Sequence, residues 1–157
     1  MIYVIQTKPN REFDLLKELE RVGVKAFAPS ENRKIRYRGK WHTQNTLIFS
    51  GYVFVDLKYS PELFHEIHKL TGFIRFLGSP SPLSMTETEQ IKWLCNNGKP
   101  IETSHYRLEN GKAVFVDGVV LRLQHLITSF CLRQHRVKLR LTINSENFNV
   151  NLPVEKI

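Results

Sequence analysis

Basic side chains concentrate in two stretches of this 157-residue chain, and the first has the spacing of a β-hairpin. Between residues 31 and 42, five cations stand against one carboxylate. The cations alternate with Ile35 and Tyr37, which is the period of a strand, and Arg38-Gly39-Lys40 suits a hairpin tip. We expect a basic hairpin that follows a nucleic-acid backbone and stacks Tyr37 or Trp41 on a base, with a solubilising hairpin as the alternative. Its candidate nucleic-acid contacts are Arg33, Lys34, Arg36, Arg38 and Lys40.

The second basic stretch lies near the C-terminus. Residues 110–157 contain seven Lys and Arg against three Asp and Glu, a net charge of +4. Three of these cations alternate with Val137, Leu139 and Leu141, so a strand would carry them on one face. Such a ladder suits phosphate contact, and a solvated strand face is the alternative. The candidates here are Arg122, Arg133, His135, Arg136, Lys138 and Arg140.

Two further cations, Lys8 and Arg11, lie at the start of the first predicted helix. The positive end of the helix dipole would reinforce an anion contact there. Ordinary surface charge is an equally good interpretation of both residues.

The sequence offers no motif that supports catalysis or metal binding. It lacks a Gly-rich phosphate loop, a nucleophile elbow and a His-Glu-x-x-His zinc motif. His65 and His68 would share a helix face, but no Cys or carboxylate stands at matching spacing, which favours exposed histidines over a metal site. Cys95 and Cys131 are expected to be buried thiols rather than a redox pair. We therefore predict a protein that is not an enzyme and that uses no cofactor or metal.

Composition narrows the partner and the compartment. The net charge of +8 and the pI near 9.7 indicate an acidic partner, most simply nucleic acid. No run approaches the roughly 18 apolar residues of a membrane span, and the start of the chain lacks a signal segment. We expect a cytoplasmic, monomeric protein without membrane contact.

The elements that must position these residues fall into two predicted domains of an α+β fold. The first, residues 1–97, is an α/β sandwich with an antiparallel sheet flanked by helices. A linker follows at 98–109, and alternating apolar residues over 110–157 predict a small β-barrel, because closure removes exposed strand edges. The predicted elements of the first domain are strands at 2–5, 24–28, 47–57 and 73–77 and helices at 11–22, from Pro61 to Gly72, and ending at Cys95. Their predicted N-caps are Asn10, Ser60 and Thr86, the last in a capping box with Glu89. Val119, Leu121 and Leu123 are assigned to a barrel strand.

The element order and several short segments resemble the NusG family of transcription elongation factors. The resemblance covers nearly the whole chain and is carried by Tyr3–Gln6, Ala28-Pro29, Phe49–Val55, Thr71–Gly78, Gly111–Val116 and Leu152–Glu155. It implies an NGN-type domain that grips the clamp helices of RNA polymerase and a KOW-type barrel that contacts a second partner. The implied polymerase contacts are Phe49, Ser50, Tyr52 and Phe54, in an exposed aromatic pocket, and His65 and Thr71. For any single aromatic, burial in the core is the alternative.

Departures from the family pattern indicate a specialised member. Ser50 stands where the family usually has Pro, and the loop at 144–147 lacks the aromatic residue with which housekeeping members contact ribosomal protein or Rho. These two departures and the basic barrel make the chain most similar to the LoaP group of antiterminators. That resemblance implies recruitment by an RNA hairpin in a transcript leader. Alternatives are a general NusG-type elongation factor, an RfaH-like paralogue and, more remotely, a ribosome-associated RNA-binding protein. Non-template DNA is a further candidate partner.

Overall fold

The computed structural model describes residues 1–157, and these residues group into two compact units. Unit 1 comprises residues 1–28 and 49–89, and unit 2 comprises residues 29–48 and 90–157. The elements in chain order are β1 (Ile2–Thr7), α1 (Glu12–Arg21), β2 (Lys25–Phe27), β3 (Ser30–Tyr37), β4 (Lys40–Leu47), β5 (Tyr52–Asp56), α2 (Pro61–His68), β6 (Phe73–Phe76), α3 (Met85–Cys95), β7 (Ser104–Glu109), β8 (Lys112–Phe115), α4 (Gly118–Leu123), β9 (Ile127–Cys131), β10 (Arg136–Ile143) and β11 (Glu146–Lys156). Short 3-10 turns lie at Asn96–Gly98, Gln124–Leu126 and Leu132–Gln134. No helix is long and apolar enough to cross a membrane.

Unit 1 is built on a four-stranded antiparallel sheet in the order β2-β5-β1-β6. Strand alternation sends every second side chain of β1 and β5 toward α1 and α2. The residues buried together on that face are Tyr3, Ile5, Leu15, Leu19, Val53, Val55, Phe64 and Ile67. This mixture of helices and an antiparallel sheet, followed by a β unit, confirms the predicted α+β class.

Helix starts agree with the sequence in one of three cases. Ser60 caps α2, since its Oγ accepts a hydrogen bond from the Leu63 N–H, and Pro61 follows as predicted. The predicted Asn10 cap is wrong: Asn10 has φ of +62°, a conformation that Asn tolerates, whereas an N-cap residue is extended. The predicted capping box is two residues late, because Ser84 and Glu87 exchange the reciprocal backbone bonds, at 3.1 and 2.9 Å.

The strand predicted over residues 47–57 is interrupted. Residues 48–51 form a turn, and the Tyr52 N–H donates to the Phe49 carbonyl at 3.2 Å. Gly51 has φ of +87°, which a residue with a Cβ rarely adopts. Phe49 therefore lies in the turn and only Tyr52–Asp56 continue as β5.

Unit 2 contains a five-stranded sheet in the order β8-β7-β11-β10-β9. Its β7 is formed by residues 104–109, which lie within the predicted linker, and it pairs in parallel with β11. The pattern there was missed because only Ser104 and Tyr106 are buried in β7. The edge strands β8 and β9 bring the Phe115 and Phe130 rings into a stacked arrangement with centroids 6.3 Å apart.

A helix replaces one predicted strand of this unit. Alternation predicts a strand through Val119, Leu121 and Leu123, but Gly118–Leu123 form α4. The buried residues are Val120 and Leu123, which have helical rather than strand spacing. The Ser104 Oγ accepts a hydrogen bond from the Val120 N–H at 3.1 Å, which satisfies a donor of the first helical turn. This partner is distant in sequence and could not be read from the local pattern.

The predicted basic hairpin is confirmed and consists of β3 and β4. Arg38 and Gly39 form its two-residue tip, with φ of +51° and +75°, as expected of a tight hairpin turn. Most of its side chains are exposed, and the exception at its base is Glu31. A backbone bridge between Glu31 and Ile101 joins that base to the rest of unit 2.

Candidate nucleic-acid interface

The predicted ladder on β10 is present. Val137, Leu139 and Leu141 are fully buried, and the side chains between them face outward. Lys138 and Arg140 are exposed, and no carboxylate pairs with either. Alternate residues of a strand are about 6.8 Å apart, close to the separation of successive phosphates along one nucleic-acid strand. The two side chains can therefore contact neighbouring phosphates.

Three asparagines on β11 stand beside the ladder, and none of them is among the predicted nucleic-acid contacts. Asn151, Asn149 and Asn147 pair with Lys138, Arg140 and Thr142 of β10. Their Oδ1 atoms accept hydrogen bonds from the protein: Asn149 from Arg140 Nε at 3.4 Å and Asn147 from Thr142 Oγ1 at 2.9 Å. The Nδ2 groups are left as donors on a face that already carries cations. Their alternation, Asn-Phe-Asn-Val-Asn-Leu, was a visible signal of a polar strand face.

Arg136 serves a different purpose from the one predicted. Its Nη1 and Nη2 donate to the two carboxylate oxygens of Glu31, each at 2.6 Å, and its Nε donates to Asn151 Oδ1 at 2.8 Å. The two side chains are only 13% and 6% exposed. Because the guanidinium fork is saturated by a carboxylate and an amide, Arg136 is not available to bind phosphate. The predicted phosphate contact at Arg136 is therefore wrong. The sequence did contain one signal for the ion pair, because Glu31 is the single carboxylate in the basic hairpin.

Arg33 joins the same cluster from the hairpin. Its Nε donates to Glu31 Oε1 at 3.2 Å and its Nη2 donates to Asn151 Oδ1 at 2.8 Å. Glu31 and Asn151 therefore each hold one arginine from the hairpin and one from β10. We call the exposed face formed by β10, β11 and the attached hairpin the basic surface.

The outer part of the hairpin carries cations stacked on aromatic rings. The Arg36 guanidinium lies 5.8 Å from the Trp41 ring centroid, and that of Arg38 lies 5.2 Å from the Tyr37 ring centroid. Trp41 is 66% exposed and Tyr37 57% exposed. Such pairs offer a flat stacking surface with a positive charge attached. Lys34 and Lys40 are also exposed on the hairpin.

The remaining predicted cations do not all join the basic surface. Arg133 and His135 are exposed on the turn between β9 and β10, next to it. Arg122 lies on α4, where its guanidinium stacks on Trp93. In unit 1, Lys8 is exposed, whereas Arg11 pairs with Asp14 at 3.0 Å. The acidic first turn of α1 occupies the position that an anion was expected to take.

The predicted aromatic pocket for polymerase is largely core. Phe49 is 3% exposed and Phe54 is fully buried, with their rings edge to face at 5.4 Å. Phe54 also stacks on Phe27 at 5.7 Å. The two residues are therefore not an exposed contact, because the turn at Phe49 folds its ring onto the sheet. Tyr52 is half-buried, and the other predicted contacts, Ser50, His65 and Thr71, are exposed.

Two titratable groups of unit 2 have environments that shift their pKa. The His105 ring and its backbone N–H both hydrogen-bond to the Asp117 carboxylate, at 2.9 and 2.8 Å. These bonds, the ring contact first, lower the pKa of Asp117. Burial raises the pKa of the Cys95 thiol to about 12, so this cysteine is a protonated, inert side chain.

Unit 1 is thus an antiparallel sheet covered by two helices, and unit 2 is a β unit with a basic face. The family model described as transcription termination factor NusG matches residues 2–92, more than half of the chain. The transcription termination/antitermination protein NusG of Helicobacter pylori (strain ATCC 700392 / 26695) is 24% identical over 167 aligned positions, which cover 98% of this chain and 92% of that protein.

A solved structure from a study of domain interaction in Thermotoga maritima NusG aligns with a TM-score of 0.59 and 18% identity. The alignment covers 97% of this chain and 92% of that one and supports the fold. The chain belongs to the NusG family. It is a transcription termination/antitermination factor of the NusG type, a class of non-enzymatic proteins that act with RNA polymerase.

Proposed function

We propose that this protein is an operon-specific antitermination factor that binds RNA polymerase through unit 1 and a leader RNA hairpin through the basic surface of unit 2. The observation that carries the proposal is the character of that surface. Lys138 and Arg140 stand without carboxylate partners beside the amide groups of Asn147, Asn149 and Asn151. A face of cations and N–H donors suits an acceptor-rich ligand, and RNA phosphates are such a ligand.

The hairpin extends this surface toward a nucleic-acid strand. Arg36 and Arg38, stacked on Trp41 and Tyr37, combine a flat ring with a charge. Bases of a single strand stack on such platforms without strong sequence preference. The proposed ligand of the β3–β4 hairpin is a single strand of nucleic acid at the transcription complex, and the non-template DNA strand is one candidate.

In unit 1, the proposed clamp-helix contact uses the exposed residues rather than the buried rings. Tyr52 and Ser50 border the turn that Phe49 anchors in the core, and His65 and Thr71 offer a second contact region. Holding the clamp closed would shift the polymerase toward its pause-resistant state without any chemistry in this chain. RNA binding would raise the local concentration of the factor at selected operons.

The direct test measures binding of the full chain to a panel of leader RNA hairpins by fluorescence anisotropy, from about 50 to about 200 mM salt. The proposal expects one hairpin to bind at least tenfold more tightly than the others at the upper salt concentration. Equal, salt-sensitive binding of all hairpins would overturn operon specificity and favour a general elongation factor. Binding to ribosomal RNA without any binding to polymerase would favour a ribosome-associated protein.

The second half of the proposal is tested by transcription through a terminator placed after the preferred hairpin. Readthrough should rise with the wild-type chain and should be lost in Tyr52→Ala, while RNA affinity stays unchanged. The matched control is Tyr59→Ala, because Tyr59 lies in the same unit and is 59% exposed. Loss of readthrough in both variants would contradict a polymerase contact at Tyr52.

A further inference from the structure

A cavity of about 400 Å³ lies within unit 2, between the C-terminal part of α3 and α4. Its wall contains the stacked pair Trp93 and Arg122, with the guanidinium carbon 5.3 Å from the indole centroid. Trp93 is half-buried and Arg122 is exposed. The volume falls in the range of small-ligand sites, which is about 300–1,000 Å³.

The charges around this cavity favour an anion with a planar group. Lys92 also lines it, and neither Lys92 nor Arg122 is paired with a carboxylate. An arginine stacked on an aromatic ring keeps its N–H donors for a phosphate, and the outer face of its plane can stack on a base. One residue thus serves both parts of a nucleotide.

The cavity also holds groups that can contact the edge of a base. Glu102 offers carboxylate acceptors and Asn97 offers an amide, while Ile101 and Val119 supply apolar surface. Carboxylates accept hydrogen bonds from exocyclic amino groups, and amides pair with base edges. A bare phosphate would use none of these groups, and Glu102 would repel it.

We propose that this cavity binds one unpaired nucleotide of an RNA, with the base stacked on the Trp93–Arg122 pair and the phosphate held by Lys92 and Arg122. The inference rests on the proposed RNA-binding function and names a second, base-binding contact outside the basic surface. Phosphate contacts on β10 cannot distinguish one RNA sequence from another. A site for a bulged or loop nucleotide would explain how the chain prefers one RNA hairpin.

Tryptophan fluorescence tests this site directly, because the chain contains two Trp residues. In Trp41→Phe, Trp93 is the only indole. We would titrate this variant with a labelled hairpin that carries one bulged nucleotide and with the same hairpin fully paired. RNA anisotropy reports binding, and Trp93 emission reports occupation of the cavity that Trp93 lines. The bulged RNA should quench Trp93 with the same midpoint as the anisotropy change, and the paired RNA should bind about tenfold more weakly without quenching.

Variants separate this site from the basic surface. Arg122→Gln in the Trp41→Phe background should abolish quenching and weaken bulged RNA about tenfold, with an intermediate effect for Arg122→Lys. Arg107→Gln, an exposed arginine of β7 in the same unit, removes the same charge and should change neither signal. Circular dichroism shows whether each variant is folded, and the Lys substitution remains informative if the Gln variant does not fold.

The outcomes distinguish the two proposals. Binding of bulged RNA without a change in Trp93 emission would overturn the nucleotide site and leave the RNA-binding function standing. If the wild-type chain binds neither RNA hairpin, the proposed function fails, and titration of the Trp41→Phe variant with a single-stranded hexanucleotide then tests the cavity. Quenching by the hexanucleotide would support the site by itself, and an unchanged emission would overturn it.

Discussion

Arg136 and Glu31 face each other in a two-bond ion pair, with both N–O distances at 2.6 Å, across 105 positions of sequence. The pair joins β10 to the base of the basic hairpin. Two further residues complete the cluster. Arg33 donates to the Glu31 carboxylate, and Asn151 accepts from the Arg136 guanidinium. The hairpin is thus attached to the sheet by charge and hydrogen bonds, while the cations that face solvent are other residues.

Removal of either partner should destabilise unit 2. Glu31→Gln leaves a largely buried guanidinium without its carboxylate, and Arg136→Ala leaves the carboxylate without its fork. Each change should lower the free energy of unfolding by about 3 kcal/mol, measured by urea denaturation. The double variant Glu31→Leu/Arg136→Met should lose less than the sum, because it leaves no unpaired charge. Additive losses would mean that the two residues act independently.

The proposed phosphate contacts of Lys138 and Arg140 should be visible in the salt dependence of RNA binding. Lys138→Ala/Arg140→Ala should reduce the slope of log affinity against log salt by about 2, one unit for each lost phosphate contact. The control Arg107→Ala/Lys112→Ala removes two charges from β7 and β8 of the same unit. Anisotropy titrations over a salt series give both slopes. If both double variants reduce the slope equally, RNA binding depends on the net charge of unit 2 and not on phosphate contacts at Lys138 and Arg140.

The sequence predicted the elements whose signals are local. Ser60-Pro61 marked the start of α2, Arg38-Gly39 marked a hairpin tip, and the alternation over 137–143 marked β10 with its buried face. These features depend on neighbours within a few residues. The family resemblance, carried by short motifs in order, was confirmed by the match over residues 2–92.

What the sequence did not predict depends on partners far away in the chain. Alternation alone made Arg136 equivalent to Lys138, and only the approach of Glu31 separates a structural arginine from an exposed lysine. Val120 became helical where Ser104 satisfies its N–H, although the local pattern favoured a strand. The family resemblance implies an exposed Phe49, with burial in the core as the alternative, and the turn that buries its ring cannot be predicted from the residue type alone.

Acid should weaken unit 2 through Asp117. The hydrogen bonds from His105 lower the pKa of this carboxyl in the folded state. A lowered folded pKa means that the unfolded chain binds the proton first as pH falls. The stabilisation is therefore complete above the usual aspartate range and is lost as pH drops through the folded value. Asp117→Asn should flatten this part of the curve of unfolding free energy between about pH 2 and about pH 6.

Two groups near Asp117 affect how clearly its contribution to the pH dependence of the unfolding free energy can be measured. His105 donates to it, and the Glu155 carboxylate lies 4.0 Å from the other ring nitrogen. Glu155→Gln therefore serves as the comparison, since it removes a charge near the ring without removing the hydrogen bonds. A curve that flattens equally in Glu155→Gln and Asp117→Asn would assign the acid sensitivity to the charge around His105 and contradict the hydrogen-bond origin.

The Cys95 thiol should be slow to react in the folded chain, because burial raises its pKa. Burial raises the pKa of the Cys95 thiol to about 12, so at pH 8 only about one molecule in ten thousand carries the reactive thiolate. A thiol reagent should modify Cys131 first and Cys95 only as the chain unfolds, measured by mass spectrometry over time. In Cys131→Ser, the labelling rate should rise in urea with the loss of the folded state, since exposure then restores an ordinary thiol. If Cys95 instead reacts as fast as Cys131 in native buffer, the end of α3 opens without global unfolding, and the cavity beside Trp93 would be a transient rather than a preformed site.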